Sequence, residues 1–174
     1  MIRFAKVAAA AAVLVLAAGA PAIAAGPLKA TDYAAILADP ARPEADRKDD
    51  AARKPAEVLA FAQLRPGDTV LEIEVGRGWM TEIISRAVGP KGKVITQNPV
   101  EFTYSGPAMA ARRTAGGLAN VTDTTSRFDA LQAPDASVDR VLWILGPHEL
   151  YYMPKNSPGL GDPAKAYAEI ARVL

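Results

Sequence analysis

The stretch that most constrains the fold spans residues 69–81 and reads TVLEIEVGRGWMT. Its first half is an apolar run, which is typical of a strand buried on both faces. The run breaks at Gly76-Arg77-Gly78, and apolar residues then recur at helical spacing from Trp79 onward. A strand, a glycine turn and a helix in succession place backbone N–H groups and a helix N-terminus beside a ligand. The stretch therefore predicts a binding turn in an α/β protein.

Elsewhere in the sequence, predicted strands also alternate with predicted helices. We expect further strands at residues 93–96, 120–126 and 138–145, and helices that open at Pro55, near Ala108 and after Asp162 as N-cap. Strands that alternate with helices at this spacing predict an α/β fold with a doubly wound, mostly parallel sheet of Rossmann-like type. Ligands of such sheets bind outside the carboxyl ends of the strands, so the residues that follow each strand are the candidates.

Composition excludes several classes of function. The chain has 174 residues, with 20 Lys and Arg against 19 Asp and Glu, so we expect one domain and no nucleic-acid partner. Because cysteine is absent, disulfides, zinc thiolates and a cysteine nucleophile are excluded, and we expect no metal site.

The N-terminus has the pattern of a targeting segment. Arg3 and Lys6 precede an apolar run at residues 7–18, and Ala22-Ile23-Ala24 forms an A-x-A cleavage site. We interpret residues 1–24 as a secretory signal peptide, which predicts an exported, periplasmic protein with no membrane attachment after cleavage. The alternative interpretation is an uncleaved membrane anchor.

Residues 25–54 are predicted to be a helical and linker segment that precedes the main domain. Their second half is strongly charged and is flanked by prolines. We interpret the charged part as a solvated connector. In the alternative, Arg47, Asp50 and Arg53 fold over the mouth of a pocket.

Several motifs together resemble one family. The pattern V-L-E-I-x-x-G-R-G-W-x-T-E-I is followed by G-P-K-G-K-V and by F-D-A-L-x-x-P-D-x-S-V-D-R-V-L. This combination resembles the class I S-adenosylmethionine-dependent methyltransferases. Within that class it most resembles exported proteins that are predicted to be methyltransferases. The resemblance covers residues 45–174 and implies a methyltransferase-like domain at residues 55–174. It implies S-adenosyl-L-methionine as cofactor and methyl transfer to an acceptor that the sequence does not identify.

The resemblance also implies roles for individual residues. Glu72 would hold the cationic methionyl end of the cofactor, and Gly76 and Gly78 would let the backbone approach it closely. Asn98, which follows the second predicted strand, would accept hydrogen bonds from the ribose hydroxyls through its amide oxygen.

The remaining implied positions follow the third and fourth strands. Asp129 would accept the adenine amino group, and the N–H of Ala130 would meet a ring nitrogen. His148 would be the candidate general base for an acceptor that carries a proton. Tyr151 and Tyr152 would shape the acceptor side or face the sulfonium.

The chain departs from the family pattern at two places. Glu74 stands where the family has its first glycine, so it either pairs with the sulfonium or ammonium of the cofactor or fills the site. The sequence also stops where the family continues with a turn and further strands, which predicts a C-terminally truncated domain. The apolar fourth strand would then form an open sheet edge, where a partner or a second copy could pair.

Two other functions compete with methyl transfer. A degenerate, non-catalytic binding or structural module would keep the fold without the activity. A nicotinamide-dependent oxidoreductase would use Gly76-x-Gly78 as half of a dinucleotide fingerprint, but Thr81 stands where that fingerprint requires a third glycine. Trp79 and Trp143 are expected in the hydrophobic core.

Overall fold

The computed structural model describes residues 26–115 and 117–174. These residues contain one parallel sheet, in the order β3-β2-β1-β4. Its strands are β1 (Thr69–Ile73), β2 (Lys93–Asn98), β3 (Val121–Thr125) and β4 (Arg140–Leu142). The predicted doubly wound α/β fold is therefore confirmed. The strand order reverses between β1 and β4, which is where such sheets open a ligand crevice.

Helices cover the sheet and its carboxyl edge. They are α1 (Ala34–Ala38), α2 (Glu44–Arg53), α3 (Pro55–Phe61), α4 (Trp79–Val88), α5 (Ser105–Thr114) and α6 (Pro163–Val173), with short 3₁₀ helices at Ala30–Tyr33 and Pro147–Tyr151. The predicted N-cap of α6 is confirmed, because the Asp162 carboxylate accepts a hydrogen bond from the Lys165 N–H at 2.9 Å.

Strand β1 explains the two hydrophobic cores. Val70 packs on one face with Ile83 and Ile84 of α4, whereas Leu71 packs on the other face with Phe128 and with α6. Side chains alternate across a strand, so a strand covered on both faces must be apolar at successive positions. This is the physical reason for the continuous apolar run from which the fold was predicted.

The structure differs from the predicted boundaries by one or two residues at β2 and β3 and by more at β4 and α5. Strand β4 contains three residues and not the eight predicted, because the chain leaves the sheet after Leu142. Leu145, predicted to be in the strand, has a left-handed φ of 60° and is 77% exposed. Helix α5 begins three residues before the predicted start at Ala108.

The predicted signal peptide, residues 1–24, lies outside the described residues. Among the residues that are described, no helix has both the length and the apolar character needed to cross a membrane.

Candidate functional site

A cavity of about 1000 Å³ lies at the carboxyl ends of β1 and β4. Its floor is formed by Glu72, Glu74 and Gly76, and helices α2 and α5 contribute walls. The position agrees with the crevice expected at the reversal of strand order. Its volume is at the upper end of the range of small-molecule sites, roughly 300–1,000 Å³.

Glu72 is the most unusual group in this cavity. The residue is 4% exposed, and its Oε2 has no hydrogen-bond partner among the described residues. Burial raises the pKa of its carboxyl to about 8, against the opposing effects of the Thr81 hydroxyl and the Arg112 charge. A buried polar atom without a partner is costly, so a ligand that donates hydrogen bonds would account for it.

Glu74 occupies a strained backbone position. Its φ is 61°, in the left-handed region that side chains other than glycine rarely adopt. The backbone is held there by its N–H, which donates to the Gln97 carbonyl at 2.7 Å. The carboxylate turns towards strand β4, where its Oε2 accepts a hydrogen bond from the Trp143 indole at 3.0 Å. Glu74 therefore forms part of the cavity wall and does not fill the cavity.

The two glycines of the turn have different roles. Both have left-handed φ values, 56° at Gly76 and 78° at Gly78. Gly76 lines the cavity, and its N–H donates to Asn98 Oδ1 at 3.3 Å. A Cβ at Gly78 would collide with Met109 Sδ, so this glycine lets α4 approach α5 closely and is absent from the cavity wall.

Asn98 braces the turn through this hydrogen bond and is 8% exposed. It lines a second cavity of about 250 Å³, together with Phe102, Ser105 and Thr125. Among the predicted residues, Glu72, Glu74 and Gly76 thus share one cavity, and Asn98 lies at the next.

Asp129 and Ala130 line neither cavity. The Asp129 carboxylate pairs with the Arg127 guanidinium at 3.0 Å and accepts the Asp162 N–H at 2.8 Å. Although burial acts in the opposite direction, these partners hold the pKa of Asp129 below its usual value. The Ala130 N–H donates to the Arg127 carbonyl at 3.2 Å.

The role implied for Asp129 at the same cofactor as Glu72 and Asn98 is therefore corrected, because Asp129 lines neither of their cavities. Arg127, two residues before Asp129, donates a hydrogen bond to its carboxylate. The N–H of Asp162, the N-cap of α6, donates to the same carboxylate. The family motif contains no information about either partner.

The predicted base and aromatic residues lie outside the cavity wall. The His148 imidazole is 74% exposed and lies 3.4 Å from the Glu149 carboxylate. Tyr151 and Tyr152 are exposed as well. None of the three lines the large cavity, whereas Tyr104 and Leu145, which the sequence did not single out, do.

Helix α2 covers the cavity, so the interpretation of the charged segment as a solvated connector is wrong. The Asp46 carboxylate of α2 forms an ion pair with Arg112 of α5 at 2.7 Å, and Arg112 also contacts Glu82 of α4 at 2.8 Å. The Arg42 guanidinium, which is fully buried, pairs with Asp50 at 2.6 Å. Buried arginines need carboxylate partners, and α2 provides them.

The alternative interpretation, that this segment lies over a pocket, is closer to the structure. Arg53 lines the cavity, and its guanidinium lies 5.0 Å from the ring centroid of Trp79. The Trp79 indole donates to the Asp46 carbonyl at 3.1 Å. Trp79 thus lines the cavity and also packs, partly buried, against the hydrophobic core as expected, and Trp143 packs against Phe128 with the ring centroids 4.7 Å apart.

Arg112 was missed by the sequence analysis. Its guanidinium joins α5 to α2 and α4 through Asp46 and Glu82, and it also donates to the carbonyl of Arg77 in the glycine turn at 2.6 Å. Basic residues near the end of a helix are ordinary, so only its 11% side-chain exposure distinguishes it.

Comparison with known proteins supports this architecture. No family model matches the chain. A SAM-dependent methyltransferase from Aquifex aeolicus is 30% identical, with a TM-score of 0.57 over 76% of this chain and 66% of that protein. The YcgJ protein from Bacillus subtilis is 22% identical, with a TM-score of 0.55 over 71% of this chain and 46% of that protein.

A candidate S-adenosyl-L-methionine-dependent methyltransferase from Methanococcus maripaludis is 12% identical, with a TM-score of 0.55 over 84% of this chain and 59% of that protein. The chain thus spans between about half and two thirds of the length of these solved structures.

Proposed function

We propose that this chain, which has the fold of the class I S-adenosylmethionine-dependent methyltransferases, binds S-adenosyl-L-methionine in the large cavity and transfers its methyl group to a small molecule. One observation carries the proposal. The buried carboxyl of Glu72 lines the cavity and has an oxygen without a hydrogen-bond partner among the described residues. The methionyl ammonium is a cation that such a carboxylate would bind.

The other residues of the turn fit the same ligand. Gly76 presents backbone to the cavity where no Cβ intervenes, and the N-terminus of α4 follows it. The adenosyl end would extend towards β2 and Asn98, where the second cavity lies. When bound, the cofactor supplies an electrophilic methyl group, and the protein then needs mainly to align the acceptor with it.

Calorimetric titration of residues 25–174 with S-adenosyl-L-methionine, S-adenosylhomocysteine and NAD tests the proposal. We expect the first two to bind and NAD not to bind. Glu72→Gln should weaken binding of both by more than about tenfold, because a charge-assisted hydrogen bond is lost. Glu57→Gln removes an exposed carboxylate of α3 outside the cavity and should change nothing. Equal affinity in the Glu72→Gln variant would overturn the assignment.

A second candidate function, a non-catalytic binding module, is favoured by the Asp129–Arg127 pair. That pair occupies a carboxylate expected to contact adenine. The two candidates differ in one measurement, the transfer of an isotopically labelled methyl group to small molecules of a cell-envelope extract. Cofactor binding without transfer would favour the module.

For residues 1–24 we propose cleavage and export, on the evidence of the sequence pattern alone. N-terminal sequencing of the protein recovered from the periplasm should begin near Ala25. An intact Met1 would contradict cleavage.

A further inference from the structure

The Glu74 side chain lies on the side of the cavity that faces strand β4. Strand β1 pairs with β2 on one side and with β4 on the other. The Gly76 N–H and Asn98 meet on the β2 side, whereas the Glu74 carboxylate is held by the Trp143 indole, which follows β4. A Cβ at Gly146 would collide with Glu74 Oε2, so this glycine makes room for the carboxylate. Two cavity acids, Glu72 and Glu74, thus have separate environments.

The surroundings of Glu74 are acidic and aromatic. Burial raises the pKa of its carboxyl, and the nearby Glu149 raises it further, whereas Trp143 and His148 lower it. Burial, Glu74 and Glu149 likewise raise the pKa of the Tyr104 hydroxyl, with Arg77 acting against them. Tyr104 and the exposed Leu145 line the same cavity. Carboxylates beside aromatic rings are a common environment for an organic cation.

The positive groups of the cavity belong mostly to the opposite wall. Arg112 is already bound to Asp46 and Glu82, and Arg53 lies over the Trp79 ring at the α2 side. Arg77 is exposed. The β4 side of the cavity therefore favours a positively charged group.

An observation that does not involve Glu74 indicates that this cavity holds a ligand. Glu72 is only 4% exposed, and its Oε2 lacks a hydrogen-bond partner among the described residues. A volume of about 1000 Å³ also leaves room for a second molecule beside a cofactor.

We propose that Glu74, with Glu149 and Tyr104 nearby, forms an acceptor subsite for a protonated amine, so that the methyl acceptor is a small amine with an apolar body. The Glu74 carboxylate would take one proton from the bound ammonium, which frees the lone pair of the nitrogen. The nitrogen would then bond to the methyl carbon as the methyl–sulfur bond breaks, which leaves S-adenosylhomocysteine, a methylated ammonium product and a protonated Glu74. This assignment rests on the proposed function, because it takes the same cavity to hold the cofactor. In this assignment the Glu74 carboxylate contacts the acceptor and not the sulfonium or ammonium of the cofactor. The apolar body of the acceptor would contact Leu145 and Ile144, which also line the cavity.

Paired probes test the charge preference. 2-Phenylethylamine and its neutral counterpart 2-phenylethanol are titrated at pH 8 into the cofactor-free protein and into protein saturated with S-adenosylhomocysteine. We expect the amine to bind at least about tenfold more tightly than the alcohol, the size of one charge-assisted hydrogen bond. Glu74→Gln should reduce this preference to less than about twofold, because the amide keeps the shape and the Trp143 contact but loses the charge.

Matched variants separate the two proposals. Glu74→Gln should leave S-adenosylhomocysteine affinity within about threefold, whereas Glu72→Gln should lower it by more than about tenfold. Glu57→Gln should preserve both the amine preference and the cofactor affinity. Equal binding of amine and alcohol, or an amine preference that survives Glu74→Gln, would overturn the acceptor subsite. Loss of S-adenosylhomocysteine binding in Glu74→Gln would also overturn it and would make Glu74 a cofactor ligand.

The proposed function can fail without this inference. If S-adenosylhomocysteine does not bind at all, the amine preference of the cofactor-free protein and its loss in Glu74→Gln still report on Glu74. If S-adenosylhomocysteine binds and the amine preference is absent, the result supports the cofactor site and contradicts the amine subsite.

Discussion

At the scale of single residues, left-handed backbone marks the candidate site. Glu74, Gly76 and Gly78 all have positive φ within five residues. Positions of this kind cluster at ligand sites, where the surrounding structure stabilises them. The three residues have similar backbone conformations, but the space available for a Cβ differs between Gly76 and Gly78. Substitutions at the two glycines should therefore differ in how much they destabilise the fold.

The two glycines provide a direct test of that difference. Gly78→Ala should destabilise the fold by about 2–3 kcal/mol, because its Cβ would collide with Met109 and crowd Arg112 in addition to the backbone strain. Gly76→Ala should cost only about 1 kcal/mol, since nothing lies within 4 Å of the added Cβ. Urea denaturation of both variants measures the free energy of unfolding. Equal losses would show that packing against α5 is not the constraint at Gly78.

At the scale of elements, helix α2 is the part of the structure that the sequence described least well. Its exposed ion pairs, such as Lys48–Glu44 at 2.8 Å, have the appearance of a solvated segment. Its position is fixed by other contacts, those of Asp46 with Arg112 and of Asp50 with Arg42. Exposed pairs contribute little and buried ones contribute through the cost of breaking them.

Arg112→Ala should therefore release α2. It would leave Asp46 and Glu82, both largely buried, without this cation, and should destabilise the protein by about 3 kcal/mol. Hydrogen exchange should show the amides of residues 44–53 losing more protection than those of β1. Lys48→Ala, in the same helix, should change stability by less than about 0.5 kcal/mol. Unchanged α2 protection in Arg112→Ala would contradict the role of the ion pair.

At the scale of the whole molecule, ionisation couples the cavity to stability. The pKa of Glu72 is raised from 4.5 to about 8 in the folded protein, so the folded state binds the proton more tightly between these values. Stability should then fall as pH rises from about 5 to 8. The pKa values of Asp39, Asp123 and Glu169 are lowered, and their contribution is lost as pH falls through the acid range.

We therefore expect maximal stability near pH 5, followed by a decline of roughly 2–4 kcal/mol towards pH 8. Denaturation at pH 5, 6.5 and 8 measures it. Glu72→Gln should remove most of the decline, because the amide does not ionise, and should make the protein more stable than the parent at pH 8. A decline of the same size in Glu72→Gln would assign it to other groups.

The sheet edge is a second whole-molecule feature. Within the described residues β4 pairs only with β1, so association through this edge stays a prediction. Sedimentation over a range of concentrations should show dimers that Val141→Lys reduces. Thr122→Lys, at an exposed position of the polar edge strand β3, is the control for an added charge at a sheet edge. A monomer at all concentrations would contradict the prediction.

The sequence by itself determined the parallel sheet, the glycine turn and the position of Glu72. These follow from local rules: apolar runs for strands covered on both faces, helical spacing after the turn, and proline and aspartate at helix starts. Those signals lie within a few residues of the elements they specify.

Only the tertiary structure decided which polar groups reach the cavity. Asp129 was expected there and is held by Arg127, whereas Asp46 and Trp79 were not expected there and form its wall. A charged side chain pairs with the partner that is nearest in space, and that partner is set by how helices pack. Local sequence patterns were thus sufficient to predict the fold, whereas the composition of the site depended on contacts between residues distant in the chain.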